Sequence, residues 1–339
     1  MSISHPALVR RVRSHGSALL AVAVASSLLL AGCGGKDEKE ATTESEASPT
    51  PTVLYSPLTG EQVEAEPKHP IVVVKIDNSE ASSPQIGLSK ADLVTEELVE
   101  GGITRLAVMF DQTIPDNVGP VRSMRATDIG IVTPAKAVLV ASGGAPQTLA
   151  RVREAQIKTF TEGAAGFYRD DSRHMPYNLF NHLNQVVKTI KHGERPDSYL
   201  PFDTEATSIT GRPATALEAR FSGSSVTRWK YDGSGYVNTN SNAAPDDQFE
   251  PSTVLVLRVR VGDAGYVDPI GNPVPETHFT GTGKAMVFNG GQLVRGTWSK
   301  SDYDAPLTLS TQAGELKLPP GKVWIELVPA GTGSVAVTH

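Results

Sequence analysis

Residues 89–100 read SKADLVTEELVE. Ser89 suits a helix N-cap, because a hydroxyl there can take one of the amides that a first helical turn leaves without a partner. Leu93, Val94 and Leu98 follow at helical spacing, so the stretch predicts a short amphipathic helix. Before it, HPIVVVKIDNSE (69–80) carries a β-branched run from Ile71 to Ile76. Apolar on both faces, that run reads as a buried strand ending at Asp77-Asn78. After it, Gly101-Gly102 ends the helix and ITRLAVMFDQ (103–112) makes a second strand.

The same rhythm continues. VGPVRSMRATDIGIV (118–132) has a helical pattern before Pro134, AVLVASGG (137–144) is a third strand, and PQTLARVREAQ (146–156) is a helix led by proline. FYRDDSRHMPYNLFNHLNQVVKTIKHG (167–193) opens as an irregular polar loop and closes as a helix, with Asn178 or Asn181 near its start. Strand alternating with helix predicts an α/β domain over 53–212, with a mainly parallel or mixed sheet, flanking helices and right-handed crossovers. Beyond Pro213 the texture changes. VTRWKYDGSGYVNT, TVLVLRVRV, AMVFNGGQLVRGTW, LTLSTQAGELKL and VWIELV are strand-like, separated by Asp-Gly, Asn-Gly-Gly and Pro-Pro-Gly turns. A smaller, mostly antiparallel β domain is expected over 213–339.

The N-terminus precedes both domains. Arg10, Arg11 and Arg13 come before a small and apolar run from Ala18 to Leu30, the layout of an export signal over 1–32. That run ends in Leu30-Ala31-Gly32-Cys33, which looks like the lipobox at which bacterial lipoproteins are cleaved and lipidated. Cys33 is the only cysteine. Lipid on it would consume the one thiol, excluding a disulfide and a cysteine nucleophile from the folded part. Residues 33–52 continue as an acidic stretch without a large apolar residue, and a disordered tether is expected. Removing the three signal arginines from 31 basic residues leaves 28 against 37 acidic ones, a formal charge of −9. Such a balance argues against a nucleic-acid partner.

Taken in order, PLTGE (57–61), KIDN (75–78), LSKADLVTEELVEGGITR (88–105), GPVRSMR (119–125), FYRDDSRHMPYNLF (167–180), GTWSKSDYDAPL (296–307) and KLPPGKVWIELVP (317–329) resemble the YerB-type lipoproteins. These are bacterial envelope proteins whose domains are classed as of unknown function. The resemblance covers the chain after the tether. It implies an α/β domain joined to a β-rich one, and no established reaction.

The candidate site gathers at the predicted strand ends. Asp77 and Asn78 close the first strand, Arg122 and Arg125 follow the second, Gly143 and Gly144 follow the third, and Arg169, His174 and Asn178 lie in the polar loop. With a parallel sheet all would open on one side. Arg122 and Arg125, three apart on a helix face, would form a fork for a carboxylate or phosphate, and the Ser142-Gly143-Gly144 turn would add free amides. The competing reading pairs these arginines and Arg105 with Glu96, Glu97 and Glu100 in a structural network. His174 has the chemistry of a general acid or base, but a loop histidine tied to backbone groups is the commoner case. Trp324 reads as core and Trp298 as more open to a ligand. The sequence has no His-Glu-x-x-His motif, cysteine pair, serine elbow or complete dinucleotide fingerprint, so neither a metal nor a cofactor is expected.

Three functions fit this reading. The first is a protein lipid-anchored outside the cytoplasmic membrane that binds an anionic or cell-wall-derived ligand, such as a piece of peptidoglycan, or an envelope protein. The second is an envelope hydrolase acting on a glycan through Asp77, a glutamate of 96–100 or His174. The third is a purely structural interaction protein.

Overall fold

The computed structural model describes residues 53–191 and 193–339. The expected signal, Cys33 and tether all lie outside these residues.

SKADLVTEELVE is not a helix. Only a 3-10 turn forms at Leu88–Lys90, and Leu93–Leu98 is a strand with its first five residues buried. The pattern that decides is the alternation Leu93, Thr95, Glu97 against Val94, Glu96, Leu98, with the β-branched Val94 and Thr95 favouring the pleat. Helix spacing fails here because both glutamates find partners inside the fold, an outcome that local propensity does not contain.

After a two-residue pair, Leu54–Tyr55 with Gln62–Val63, the strands of the first half are, in chain order, β1 (Val72–Asp77), β2 (Leu93–Leu98), β3 (Thr104–Phe110), β4 (Val138–Val140) and β5 (Thr159–Phe160). They are followed by a small hairpin, β6 (Phe167–Arg169) and β7 (Leu179–Asn181). Three α-helices occur among the described residues: α1 (Asp128–Val132), α2 (Pro146–Glu154) and α3 (Leu183–Val187). The second half supplies β8 (Ala216–Arg220), β9 (Val226–Tyr231), β10 (Tyr236–Asn238), β11 (Thr253–Val267) and β12 (Pro273–His278). It closes with β13 (Gly281–Asn289), β14 (Gln292–Lys300), β15 (Thr308–Thr311), β16 (Gly314–Glu315), β17 (Val323–Pro329) and β18 (Ser334–Thr338).

The expected α/β domain with flanking helices is therefore corrected to a mostly β architecture. One mixed sheet of 13 strands has the main path β16-β15-β14-β13-β11-β17-β2-β3-β1-β4-β5, with β12 paired to β11 and the two-residue strand Arg212–Pro213 paired to β14 off that path. β17 runs parallel to both β11 and β2, so the second half of the chain is hydrogen-bonded directly to the first. β1 and β2 both pair antiparallel with β3, and Gly101 and Gly102, at φ of 71° and 74°, turn the chain between β2 and β3. These left-handed conformations are open to glycine without a side-chain penalty. β8, β9, β10 and β18 form a second, four-stranded antiparallel sheet.

VGPVRSMR is also extended. The amides of Val118, Val121 and Arg122 donate to Asn181, Leu179 and Lys75, lacing this segment between β7 and β1. The helix begins only at Asp128. Arg122 and Arg125 therefore share no helix face.

Apolar residues cover the large sheet on both sides. Val73, Leu93, Met109, Leu255, Leu257 and Ile325 pack on one face with Ile129 and Val132 of α1 and Val152 of α2. Val74, Val94, Val108, Val254 and Val328 pack on the other with Leu183 of α3 and Leu217, Trp229 and Tyr236 of the small sheet. A central strand buried on both faces has no solvent side, so any polar residue in it needs a partner.

Candidate functional site

The parity of β1, β2 and β3 sorts their polar residues onto opposite faces. Asp77 and Glu97 both stand opposite Arg105, whereas Glu96 stands opposite Leu106. On the Asp77 face, Lys75 Nζ lies 2.6 Å from Glu97 Oε1 and 2.8 Å from Asp128 Oδ1, with all three side chains fully buried. Arg122 Nε donates to Asp77 Oδ2 at 2.8 Å. Arg105 donates to Glu100 at 2.9 Å and to the Ser123 carbonyl at 2.8 Å. Arg125 grips both oxygens of Glu100, through Nε at 2.8 Å and through Nη2, while its Nη1 donates to the Met124 carbonyl.

Four cations thus meet four carboxylates. Burial pulls the Lys75 ammonium down, but the Asp128 and Glu97 charges outweigh it and hold the group above its usual range. Burial pushes Glu97 up, partly countered by Lys75. Glu100 is also pushed up by burial, yet the Arg125 hydrogen bonds and the Arg105 and Arg125 charges bring it below the usual carboxylate range. Burial, together with the neighbouring Arg125 charge, lowers Arg105 to about 10. Of the three arginines in this cluster, only Arg122 keeps both Nη groups without a hydrogen bond, and the Tyr177 ring lies 5.5 Å from its guanidinium carbon.

The opposite face carries a second polar centre. Glu96 and Glu326 are direct neighbours across the parallel β2–β17 pair. Glu96 accepts from Asn78 Nδ2 at 3.0 Å and from Thr227 Oγ1 at 2.9 Å. Glu326 Oε1 accepts from Trp229 Nε1 at 2.7 Å. Burial raises both carboxyls, and the Glu96 charge raises Glu326 further.

Above Glu96 opens a cleft of about 510 Å³ between the end of the large sheet and the small sheet. Its floor is locked. Asn78 donates to Glu96 and to Thr104 Oγ1, its own Oδ1 accepts from Gln85, and its carbonyl accepts from Asn242 Nδ2. The wall comes from Ser225, Asn238, Asn240, Ser241 and Asn242 on and around β9 and β10. No cation and no aromatic ring lines it.

The structure divides the sequence-predicted site. Asp77 and Arg122 meet, and the turn at Gly143 and Gly144 lies beside them, since the Met124 amide donates to the Gly143 carbonyl and the Ser142 amide to the Arg122 carbonyl. Arg125 is turned away to Glu100. Asn78 belongs to the opposite face. Arg169 donates to Asn178 at 2.6 Å and to Glu162 within the hairpin region, separate from Asp77. His174 is exposed at the tip, where its carbonyl accepts from the Tyr177 amide. Asp77 and Glu96, being on opposite faces, do not flank a common space. Trp324 and Trp298 are both buried, the latter 1 % exposed with its Nε1 donating to the Arg258 carbonyl.

Glu326, Thr227 and the cleft asparagines Asn238, Asn240 and Asn242 were not among the predicted site residues, whereas Asn78 was. Two signals for them stand in the sequence: a lone acid inside the apolar strand VWIELV, and the run NTNSN at 238–242 directly after a strand.

Fold and site together define a mostly β protein with a hydrogen-bonding cleft over a buried acid pair. Among the described residues no group of three or more His, Cys, Asp or Glu is placed to hold a metal ion, and no helix is long and apolar enough to cross a membrane. Residues 58–195 match the family described as "Protein of unknown function (DUF3048) N-terminal domain", and residues 217–325 match its "C-terminal domain". The Bacillus subtilis (strain 168) protein named "Putative lipoprotein YerB" is 25% identical over 296 residues, covering 81% of this chain and 86% of its own. The crystal structure of YerB from Bacillus subtilis superposes with a TM-score of 0.70 at 22% identity, over 84% of this chain and 99% of that one. The chain belongs to the YerB-type family.

Proposed function

We propose that this is an extracytoplasmic binding protein, held to the membrane by lipid on Cys33, that takes a polyhydroxylated, amide-bearing fragment of the cell wall in the Glu96 cleft. The relative named as a lipoprotein and the Leu-Ala-Gly-Cys sequence at 30–33 support the anchor. The carrying observation for the ligand is the cleft's lining: serine, threonine and asparagine donors and acceptors, with Glu80 as the one exposed charge, on a floor already fixed by its own hydrogen bonds. Asn and Ser side chains offer a donor and an acceptor each, the complement of sugar hydroxyls and acetamido groups. A floor held in place before binding loses little entropy when the ligand arrives.

Of the two carboxyls that line the cleft, Glu96 is buried beside Glu326 and held by Asn78 and Thr227, which leaves the exposed Glu80 as a single acid without an acid partner in the lining, so the reading is binding without turnover. Lacking an aromatic platform, recognition rests on hydrogen bonds, and the heat-capacity change on binding is expected to be small.

The test is calorimetric titration of the full chain in detergent with tetra-N-acetylchitotetraose and with muramyl dipeptide. Ser225→Tyr, which fills the cleft from a half-buried position, serves as control. Saturable binding abolished by S225Y at unchanged melting temperature is the expected result. Absence of binding to both probes, or equal binding by S225Y, refutes the assignment.

A further inference from the structure

A second cleft, distant in sequence from the first, has the opposite character. β11 pairs with β13 from Thr253↔Asn289 to Leu257↔Ala285 and then leaves it, pairing with β12 from Arg260 onward. At this fork Gly283 passes against the Arg258 carbonyl and the Trp298 indole, leaving no room for a Cβ. A groove of about 500 Å³ opens beside the fork.

Register places the groove's charges. Val256 stands opposite Met286, and Met286 opposite Arg295. Counting by two along each strand puts Arg258, Arg260, Met286, Lys284 and Arg295 on the same face of three adjacent strands. All five line the groove, together with Ala330 and Val335. No acidic residue lines it, and none of the four cations forms a salt bridge among the described residues.

Two layers of cations result. Arg258 is fixed, its Nη2 donating to the carbonyls of Pro329, Ala330 and Gly333. Arg260, Lys284 and Arg295 are exposed at the rim. Like charges gathered without counter-charges repel one another, and in a chain with more acids than bases their convergence is a local reversal of the field. The lysines and arginines of the first site are consumed in ion pairs; these are not.

We infer that this groove binds an organic phosphate ester. Three guanidinium groups and one ammonium suit an oxyanion carrying more than one charge, and the arginine fork matches phosphate oxygens two at a time. Met286, Ala330 and Val335 offer an apolar floor to the carbon portion of the ester. Phosphate esters reach an envelope protein from two sources, a lipid headgroup or a soluble metabolite or polymer unit, and the groove chemistry is common to both.

The test titrates the full chain in nonionic detergent at low salt with n-butyl phosphate, inorganic phosphate, glycerol 1-phosphate and dihexanoyl phosphatidic acid, with n-butanol as uncharged control. We expect saturable binding of butyl phosphate, tighter than inorganic phosphate, silent with butanol, and weakened at least about tenfold in Arg260→Ala/Arg295→Ala and by added salt. Lys284→Glu, a single change at an exposed position, is expected to weaken it as well and guards against a folding defect in the double variant. Tighter binding of the phosphatidic acid than of glycerol phosphate assigns the groove to lipid headgroups; the reverse order assigns it to soluble esters. Binding that is absent for every phosphate probe, or that survives both variants, overturns the proposal. Because Ser225 lines the Glu96 cleft and not this groove, S225Y should leave these titrations unchanged.

Discussion

The Glu96–Glu326 pair makes stability fall with pH in a measurable way, and Glu326→Gln isolates the effect. In the unfolded chain a glutamate ionises near pH 4.3. In the fold, burial and the adjacent Glu96 charge keep Glu326 protonated well above that value. Between the two values the native state binds one proton more than the unfolded state, so unfolding free energy decreases with rising pH by about 1.4 kcal/mol per unit. Stability from this source is complete below the unfolded value and is lost as pH climbs toward the folded one. Glutamine keeps the shape without a proton to lose: its Oε1 can accept from Trp229 Nε1 as the carboxyl does. Asp92, pushed up by burial to about 6, adds a slope of the same sign at lower pH, but it is present in both proteins. Urea unfolding at pH 6.5 and 7.5, with equal m-values confirming equal exposed surface, gives the comparison. E326Q should gain on the parent chain over that one unit, by up to about 1.4 kcal/mol. A stability difference that stays constant between the two pH values would refute the argument that burial raises Glu326.

Other substitutions grade the buried network. Lys75→Met leaves Glu97 and Asp128 buried without their cation and should cost about 3–5 kcal/mol in urea unfolding, with part of the loss recovered in K75M/E97M. Arg125→Ala, which frees the nearly buried Glu100, should cost clearly more than Arg169→Ala, whose exposed pair with Glu162 is worth about 1 kcal/mol or less; equal losses would argue against the network. Trp298→Ala should cost about 3–5 kcal/mol while leaving saturable binding at the Glu96 cleft intact, since the ring fills core instead of lining that space.

How much of this was legible in the sequence depends on the range of the interaction that decides each segment. The second-half hairpins follow from Asp-Gly and Asn-Gly-Gly turns between β-branched runs, and β9, β10, β13 to β17 and the first part of β11 appear where those local signals put them, whereas β12 and the continuation of β11 to Val267 carry no such signal. β1, β3 and α2 are equally local. SKADLVTEELVE and VGPVRSMR are not. Each carries charges whose place in the interior depends on partners far along the chain: Glu97 on Lys75, Glu96 on Thr227 and Glu326, Arg122 on Asp77. Reading those charges as a solvated helix face was the natural outcome of a window too short to contain their partners.

The site was divided for the same reason. Side-chain direction in a strand reverses at every residue, so Asp77 and Asn78, adjacent in KIDN, serve opposite faces of one sheet. Asp77 closes an ion pair that holds the 118–125 segment against β1, while Asn78 fixes Glu96 at the floor of the cleft. A helix in place of β2 would have put Glu96 and Glu100 on one surface; the strand instead sends Glu96 to the cleft, while Glu100, beyond the strand's end, pairs with Arg125 on the Asp77 face. The single change from period 3.6 to period 2 therefore converts one expected anion site into two separate polar centres, one neutralised by its own carboxylates and one open to a ligand. Asn78→Ala discriminates between their roles: it should weaken saturable binding in the Glu96 cleft while leaving phosphate-ester binding at the β11–β13 fork unaltered, whereas an equal loss at both would mean that Asn78 sustains the fold as a whole.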